Sequence, residues 1–289
     1  MQVNTNIPAL VAANAINLAT QQAAQASQRL STSMRVNSSA DDPGLMSVLN
    51  STKAKIASWS KANDNISSSS AMLTSMNSSL SSIADLLTKM RALAVTSTSS
   101  TLSADQVTAN QTAFSTYMSQ IDNIANSSKW NGISLLSSTS GALNAPGTIL
   151  IQTGIDTGNQ LTVNLYNATT AKLGDTSAPA TLLSAQNLNT TVAATSAITQ
   201  IDKAISTISS YQTTVGATQN VMANQSAFNT SMSTASNTAY ANLTGADIAA
   251  ETANLAAAQI RQNSASAMLA QSSQMTKDMV TTLLRQFAN

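Results

Sequence analysis

The sequence contains no cysteine and no histidine. The first absence rules out disulfides and thiolate chemistry. The second, with the first, removes the two best zinc ligands and excludes the His-Glu-x-x-His class of metalloprotease. Charged residues make up only 9% of the chain, with a formal net charge of +1, and Glu251 is the single glutamate. No cluster of Lys and Arg is present, so nucleic acid is not an expected partner. Three Phe, two Trp and four Tyr in 289 residues are too few for a large aromatic core. No apolar run approaches the roughly 18 residues of a membrane span. The first basic residue is Arg29, so the charged start of a cleavable secretory signal is missing, and any export is expected to use another route. No cofactor is expected. Ser, Thr, Asn, Gln and Ala fill the deficit, and solubility rests on uncharged polar groups.

The chain's best-patterned segments lie at its ends and flank an irregular middle. Between Leu45 and Val95, Ile56, Trp59, Asn63, Ile66, Ser70, Leu73, Met76, Leu80, Ile83, Leu87, Met90 and Ala94 follow at steps of three or four. This is the spacing of a coiled-coil seam; two consecutive threes at Leu73–Met76 form a stammer that locally overwinds it. Fifty helical residues would span roughly 75 Å, too long for a compact globule of this size. Ser103 is placed to cap a second helix carrying Phe114, Tyr117, Ile121 and Ile124. From Ile198 the rhythm returns through Ile201, Ile205, Ile208, Tyr211, Val215, Met222, Phe228 and Met232. That segment has the length to zip against the 45–95 helix. Between them, residues 130–190 hold six of the nine Gly and two of the four Pro. There, 132–136, 148–152 and 160–166 read as short strands, the last alternating, with Gly154 and Gly158 bracketing a turn.

The terminal segments carry weaker stripes. Val3, Ile7, Leu10, Val11 and Leu18 lead to Leu30 and Met34, with Asn4-Thr5-Asn6 opening the helix and Pro8 in its first turn. This helix is expected to run out at Asn37-Ser38-Ser39. The far end runs from Ile248 through Leu255, Leu269, Met275, Met279 and Leu283 to Phe287, capped by Thr244 or Asp247. Leu255 and Ile260 fall on different faces, so one helical pair cannot cover both. The ends are therefore expected to be disordered alone and to fold on assembly. The fold class is mainly α: an elongated, coiled-coil-like helical rod made by the N- and C-terminal segments, with small β-hairpins in the middle.

Several short patterns resembling chemical motifs are better read as structure. Asp41-Asp42 before Pro43-Gly44 is a turn rather than an acid–base pair. Ser58-x-x-Lys61 lies mid-helix without the accompanying β-lactamase motifs. Gly154-x-x-x-Gly158 lacks the Gly-Lys-Ser/Thr ending of a phosphate loop. Asn-x-Ser/Thr sequons such as Asn77-Ser78-Ser79 arise by chance in this composition.

Seven pieces, in order, resemble bacterial flagellin over nearly the whole chain. They are Asn4-Thr5-Asn6, Gln28-Arg29-Leu30-Ser31 with Arg35-Val36-Asn37-Ser38 and Asp41-Asp42, Met90–Val95, Trp130–Ile133, Ala258-Gln259-Ile260, Met268–Gln271 and Leu283-Leu284-Arg285. The resemblance implies an inner helical domain from 1–40 and 245–289, an outer helical rod from 41–129 and 191–244, and a β-hairpin region at 130–190 with no sizeable further domain. It implies export through the flagellar type III channel and polymerisation into an extracellular filament for swimming. Export chaperone, cap protein and hook-associated proteins are the implied partners besides the chain itself; no membrane partner is expected.

Candidate subunit-assembly residues are Ile7, Val11, Leu18, Leu30, Ile248, Leu255, Leu269, Met275, Met279, Leu283 and Phe287. The spoke between domains would turn at Arg35, Asp41, Asp42, Pro43 and Gly44. Arg91 and Leu93 match the segment through which some flagellins meet Toll-like receptor 5. The helpful acidic residue of that site aligns with Ala113, so weak receptor activation is expected. Candidate O-glycosylation sites, also from family resemblance, are Ser137, Ser138, Thr139, Ser140, Thr169 and Thr170. The rival readings are a hook–filament junction protein of the same superfamily, a chemoreceptor-like signalling hairpin, and an enzyme, for which no constellation exists. A surface adhesin role through the hairpins would be additional.

Overall fold

The computed structural model describes residues 6–137, 147–174 and 182–287. The chain is mainly helical. In order it forms α1 (Ile7–Thr32), α2 (Pro43–Ser97), α3 (Ala104–Ser127), β1 (Lys129–Trp130), β2 (Ile133–Ser134), β3 (Thr148–Gln152), β4 (Gln160–Asn164), α4 (Thr191–Thr244) and α5 (Ile248–Phe287). A 3-10 turn at Leu183–Ala185 precedes α4. The two sheets are separate antiparallel pairs, β1 with β2 and β3 with β4. The chain divides into two compact units, one made of residues 1–54 and 235–289, the other of 55–234.

In the 55–234 unit the predicted α2 stripe is the core. Leu73, Met76, Leu80, Ile83, Leu87, Met90 and Ala94 are all fully buried. Facing them from α4 are Ala197, Ile201, Ala204, Ile208 and Val215, with Phe114 and Ile121 of α3 closing the third side. Polar pairs along the zipper fix its register. Asn63 donates to Thr230, Gln219 to Thr74, Gln212 to Ser81 and Arg91 to Asp202. In each pair the two residue numbers add to 293, so α2 and α4 run antiparallel without a slip over this length. The α3 start is a capping box: the Ser103 hydroxyl accepts from the Gln106 N–H, and the Gln106 side chain accepts from the Ser103 N–H.

The hairpins sit on this core. Ile151 and Val163 point inward from β3 and β4, while Leu150 faces outward. The Thr153 N–H donates to the Asn159 carbonyl at 2.9 Å to close the β3–β4 loop. A Cβ on Gly154 would lie 2.6 Å from the Asn159 amide nitrogen, so the turn requires a residue without a side chain there. The β1–β2 turn is Asn131-Gly132, both at positive φ (48° and 82°). A two-residue hairpin of this kind matches the natural strand twist, and Asn-Gly is its preferred sequence. The strand expected at 132–136 is shorter, Ile133–Ser134, because Gly132 is spent on the turn and Leu135 and Leu136 enter the core.

One predicted seam changes face. The sequence pattern carries the α4 stripe through Phe228 and Met232, but both are exposed, and the buried position is Asn229. Its amide donates to the Thr153 carbonyl at 2.7 Å and its oxygen accepts from Gln225 at 3.0 Å. A polar residue turns inward because the hairpin end presents a backbone carbonyl there that needs a donor. Phe228 instead meets Trp59 edge-on, with ring centroids 6.0 Å apart.

In the 1–54/235–289 unit, α1 pairs with α5. Asn6 caps α1, accepting from the Ala9 N–H, with proline in the first turn. The helix stops at Thr32, earlier than expected, because Ser33 adopts the left-handed conformation (φ 55°) that terminates helices. Residues 34–35 then join the α4–α5 junction: Met34 bridges Gly245, the Arg35 N–H donates to Thr244 at 2.7 Å, and Ala246 donates to Ser33. Of the two caps considered for the last helix, Asp247 serves: its carboxylate accepts from the Ala249 and Ala250 N–H groups. The Thr244 hydroxyl donates back to Tyr240 within α4.

Candidate assembly surface

The contact between α1 and α5 is built from small residues. Ala12, Ala19 and Ala26 are buried on α1 at heptad spacing, and Glu251, Ala258, Ala265 and Ser272 are buried on α5 at the same spacing. Small side chains let two antiparallel helices approach closely, but the seam consumes almost none of the large apolar surface. That surface points away. Ile7, Leu10, Val11 and Leu18 each leave more than half their area exposed, as do Ile260, Met268, Met275 and Leu284. Ile248 and Met279 are also exposed. Leu30, Leu255 and Leu269 are half-buried. The side chains of Leu283 and Phe287 lie outside the described residues, as do Asn4 and Thr5.

Polar pairs fix the seam. Arg29 Nη1 lies 3.2 Å from Glu251 Oε1, with the glutamate side chain only 12% exposed. Arg261 donates to Gln22, Gln262 to Thr20, and Asn6 to Thr276. The only glutamate of the chain thus anchors its two ends to one another. The helix pair is registered by polar contacts and leaves large aliphatic and Met side chains facing solvent.

The turn residues form a compact loop ahead of α2. Asp41 Oδ2 accepts from the Asn37 N–H, the Ser38 N–H and the Ser38 hydroxyl. Those bonds, with Arg29 nearby, hold the Asp41 carboxyl below its ordinary range. Asp42 Oδ1 accepts from the Leu45 N–H at 2.9 Å, so it acts as the N-cap of α2, with Pro43 in the first helical position, where its missing N–H costs nothing. Gly44 follows inside the first turn, and the Arg35 side chain is exposed. The acidic pair is therefore divided between two structural tasks.

Arg91 is not a free surface cation. Its Nε lies 2.6 Å from Asp202 Oδ1 across the zipper, and this pairing raises its pKa. Leu93 is half-buried against the core. Among the sugar-site candidates, Thr170 is buried; its N–H and hydroxyl both donate to Asp122, each at 2.8 Å. That leaves no room for a sugar on Thr170 in the folded chain. The Thr169 hydroxyl donates to Asn167, and the Ser137 hydroxyl shares a hydrogen bond with Ser134. Ser138, Thr139 and Ser140 lie outside the described residues. Among the described residues no group of metal-ligating side chains is gathered, and no helix is long and apolar enough to cross a membrane.

Known proteins resemble the chain along most of its length. Residues 3–140 match the bacterial flagellin N-terminal helical region, and residues 198–284 match the bacterial flagellin C-terminal helical region. The chain belongs to the bacterial flagellin family. It is 28% identical to a flagellin of Listeria innocua over 98% of this chain and 99% of the relative. It is 26% identical to a flagellin of Halalkalibacterium halodurans over 95% and 96% of the two. A solved structure described as a putative flagellar hook-associated protein from Vibrio parahaemolyticus shares the fold, with a TM-score of 0.59 at 16% identity, covering 71% of this chain and 100% of that one. As a flagellin, the protein is a structural subunit that polymerises into the extracellular flagellar filament used for motility.

The sequence reading missed the seam alanines, Asp122 and Asp202. The heptad spacing of Ala12, Ala19 and Ala26, answered by Ala258 and Ala265 in the last helix, was the available signal for the seam. Nothing in the sequence marks Asp122 as the partner of Thr170.

Proposed function

We propose that the α1–α5 pair is the principal subunit contact of the filament, with Ile7, Val11, Leu18, Ile248, Met275 and Met279 packed against neighbouring copies. The observation that supports it is the division of labour on these helices: alanines face inward and large apolar residues face outward. A head-to-tail contact of this kind that does not close generates a helical polymer. The low charge content suits such packing, because many copies stack without burying like charges together. Leu30, Leu255 and Leu269 contribute from the margin of the same surface, and Leu283 and Phe287 extend its sequence pattern. On this reading residues 1–40 and 245–289 act as the inner domain and the remainder as the outer one. The ends gain their full order only when neighbours cover them.

The export chaperone, the cap protein and hook-associated proteins are proposed partners on family grounds, and each would meet these same exposed ends. Among the sugar candidates, Ser137 and Thr169 lie in the hairpin region, where O-linked modification is proposed. A role at Toll-like receptor 5 would require Arg91 to give up Asp202. Limited proteolysis of monomer and polymer tests the assembly reading. Cleavage at both ends of the monomer and protection in the polymer support it; equal protection in both states rejects it.

A further inference from the structure

We infer that Asn131 is a site of spontaneous deamidation and backbone isomerisation, the asparagine best placed to react among the described residues. The reaction needs no enzyme. The Gly132 backbone nitrogen, losing its proton, bonds to Asn131 Cγ; the bond to Nδ2 breaks and ammonia leaves, giving a five-membered succinimide. Water then opens the ring. Attack at Cγ yields an ordinary aspartate at position 131, and attack at the backbone carbonyl carbon yields isoaspartate, with the main chain rerouted through Cβ and Cγ. Glycine favours the first step because no side chain obstructs the approach of its nitrogen.

Asn131-Gly132 is the only Asn-Gly pair in the sequence, and several Asn-Ser pairs, the next most open class, compete with it. The fold disarms the competitors. Asn50, Asn77, Asn126 and Asn263 lie in α-helices, where the following N–H is engaged with the preceding turn. Asn37 is held at both ends of the reaction: its amide donates to the Met34 carbonyl at 3.2 Å, and the Ser38 N–H is bound to Asp41 at 2.9 Å. At the β1–β2 turn both restraints are absent. Asn131 is exposed, and neither its amide nor the Gly132 N–H has a hydrogen-bond partner among the described residues. A Cβ built on Gly132 would meet nothing within 4 Å, so water reaches the turn freely.

The products differ in consequence. The aspartate product keeps the chain length and tolerates the left-handed conformation. Isoaspartate adds a backbone atom to a two-residue turn whose register pairs Trp130 with Ile133 and Lys129 with Ser134. The hairpin opens, and with it the Leu135–Ser128 hydrogen bond that leads into the core.

The test is peptide mass spectrometry of the full-length protein, held folded in warm, mildly alkaline buffer and, in parallel, unfolded in urea. The expected result is a one-dalton gain at Asn131 ahead of every other asparagine in the folded chain, with isoaspartate found by fragmentation. In urea the Asn-Ser sites then gain on it. Asn131→Gln, which cannot form the five-membered ring as readily, is expected to leave that peptide unchanged. The inference is overturned if Asn131 stays intact in the folded chain while the urea sample converts it, or if an Asn-Ser site reacts first when folded. Both outcomes are read from wild-type protein, whatever the variant's folding.

Discussion

Asn229, fully buried in the middle of α4, donates its amide to the backbone carbonyl of Thr153 at the end of β3. One side chain thereby fastens the β3–β4 hairpin to the helical core. Asn229→Ala removes the donor and leaves a buried carbonyl unpaired. The expected loss is about 1–3 kcal/mol, read as a lower urea midpoint at unchanged slope. Asn229→Asp substitutes an acceptor for the donor and is expected to cost more.

Gly245 carries the bridge to Met34, and a Cβ there would lie 2.9 Å from the Ala241 carbonyl oxygen. The opposing atom belongs to the helix backbone and cannot swing aside. Gly245→Ala is expected to destabilise the terminal unit by about 1–3 kcal/mol, as overpacking does. Amide exchange should rise at Arg35 and Ala246 while the α2–α4 zipper is unaffected.

Arg29 and Glu251 form the ionic tie between the two chain ends. Arg29→Met leaves a mostly buried carboxylate without its cation. Arg29 keeps about a third of its side chain in water. The expected cost is therefore about 1–2 kcal/mol, below that of a fully buried pair. Adding Glu251→Gln should recover part of it, and a double-mutant cycle measures the coupling.

Acid reaches the loop before α2 only below the ordinary carboxylate range. The Asp41 carboxyl is lowered in the folded chain by its hydrogen bonds to Ser38 and Asn37. A lowered folded value means the carboxylate's contribution is complete above the ordinary carboxylate pKa and is lost as pH falls through the folded value. Loop amides at Asn37 and Ser38, followed by NMR in an acid titration, should shift together with that lowered midpoint. In Asp41→Asn the transition should vanish.

How much of this was legible depended on residue size. The α2 seam was readable because Leu, Ile and Met at steps of three and four leave no alternative face. The Ser103 cap and the Gly154–Gly158 turn were readable because caps and turns demand particular residue types. The α1–α5 seam was not: Ala12, Ala19 and Ala26 barely register in a hydrophobic pattern, and the eye follows Val11 and Leu18, which face the other way. Asn229 escaped because its burial depends on a carbonyl 76 residues away. The same holds for Thr170, whose hydroxyl is claimed by Asp122, and for Arg91, held by Asp202. Pairings between distant polar residues carry no periodic signature.

The chain has no cysteine of its own, so single cysteines report cleanly on the outward surface of the terminal helices. Val11→Cys, Leu18→Cys and Met275→Cys, each labelled with a maleimide as monomer and as filament, give the most direct reading. Fast labelling of the monomer and strong protection in the filament is the predicted result. Equal labelling in both states would contradict the proposal that neighbouring copies cover these residues.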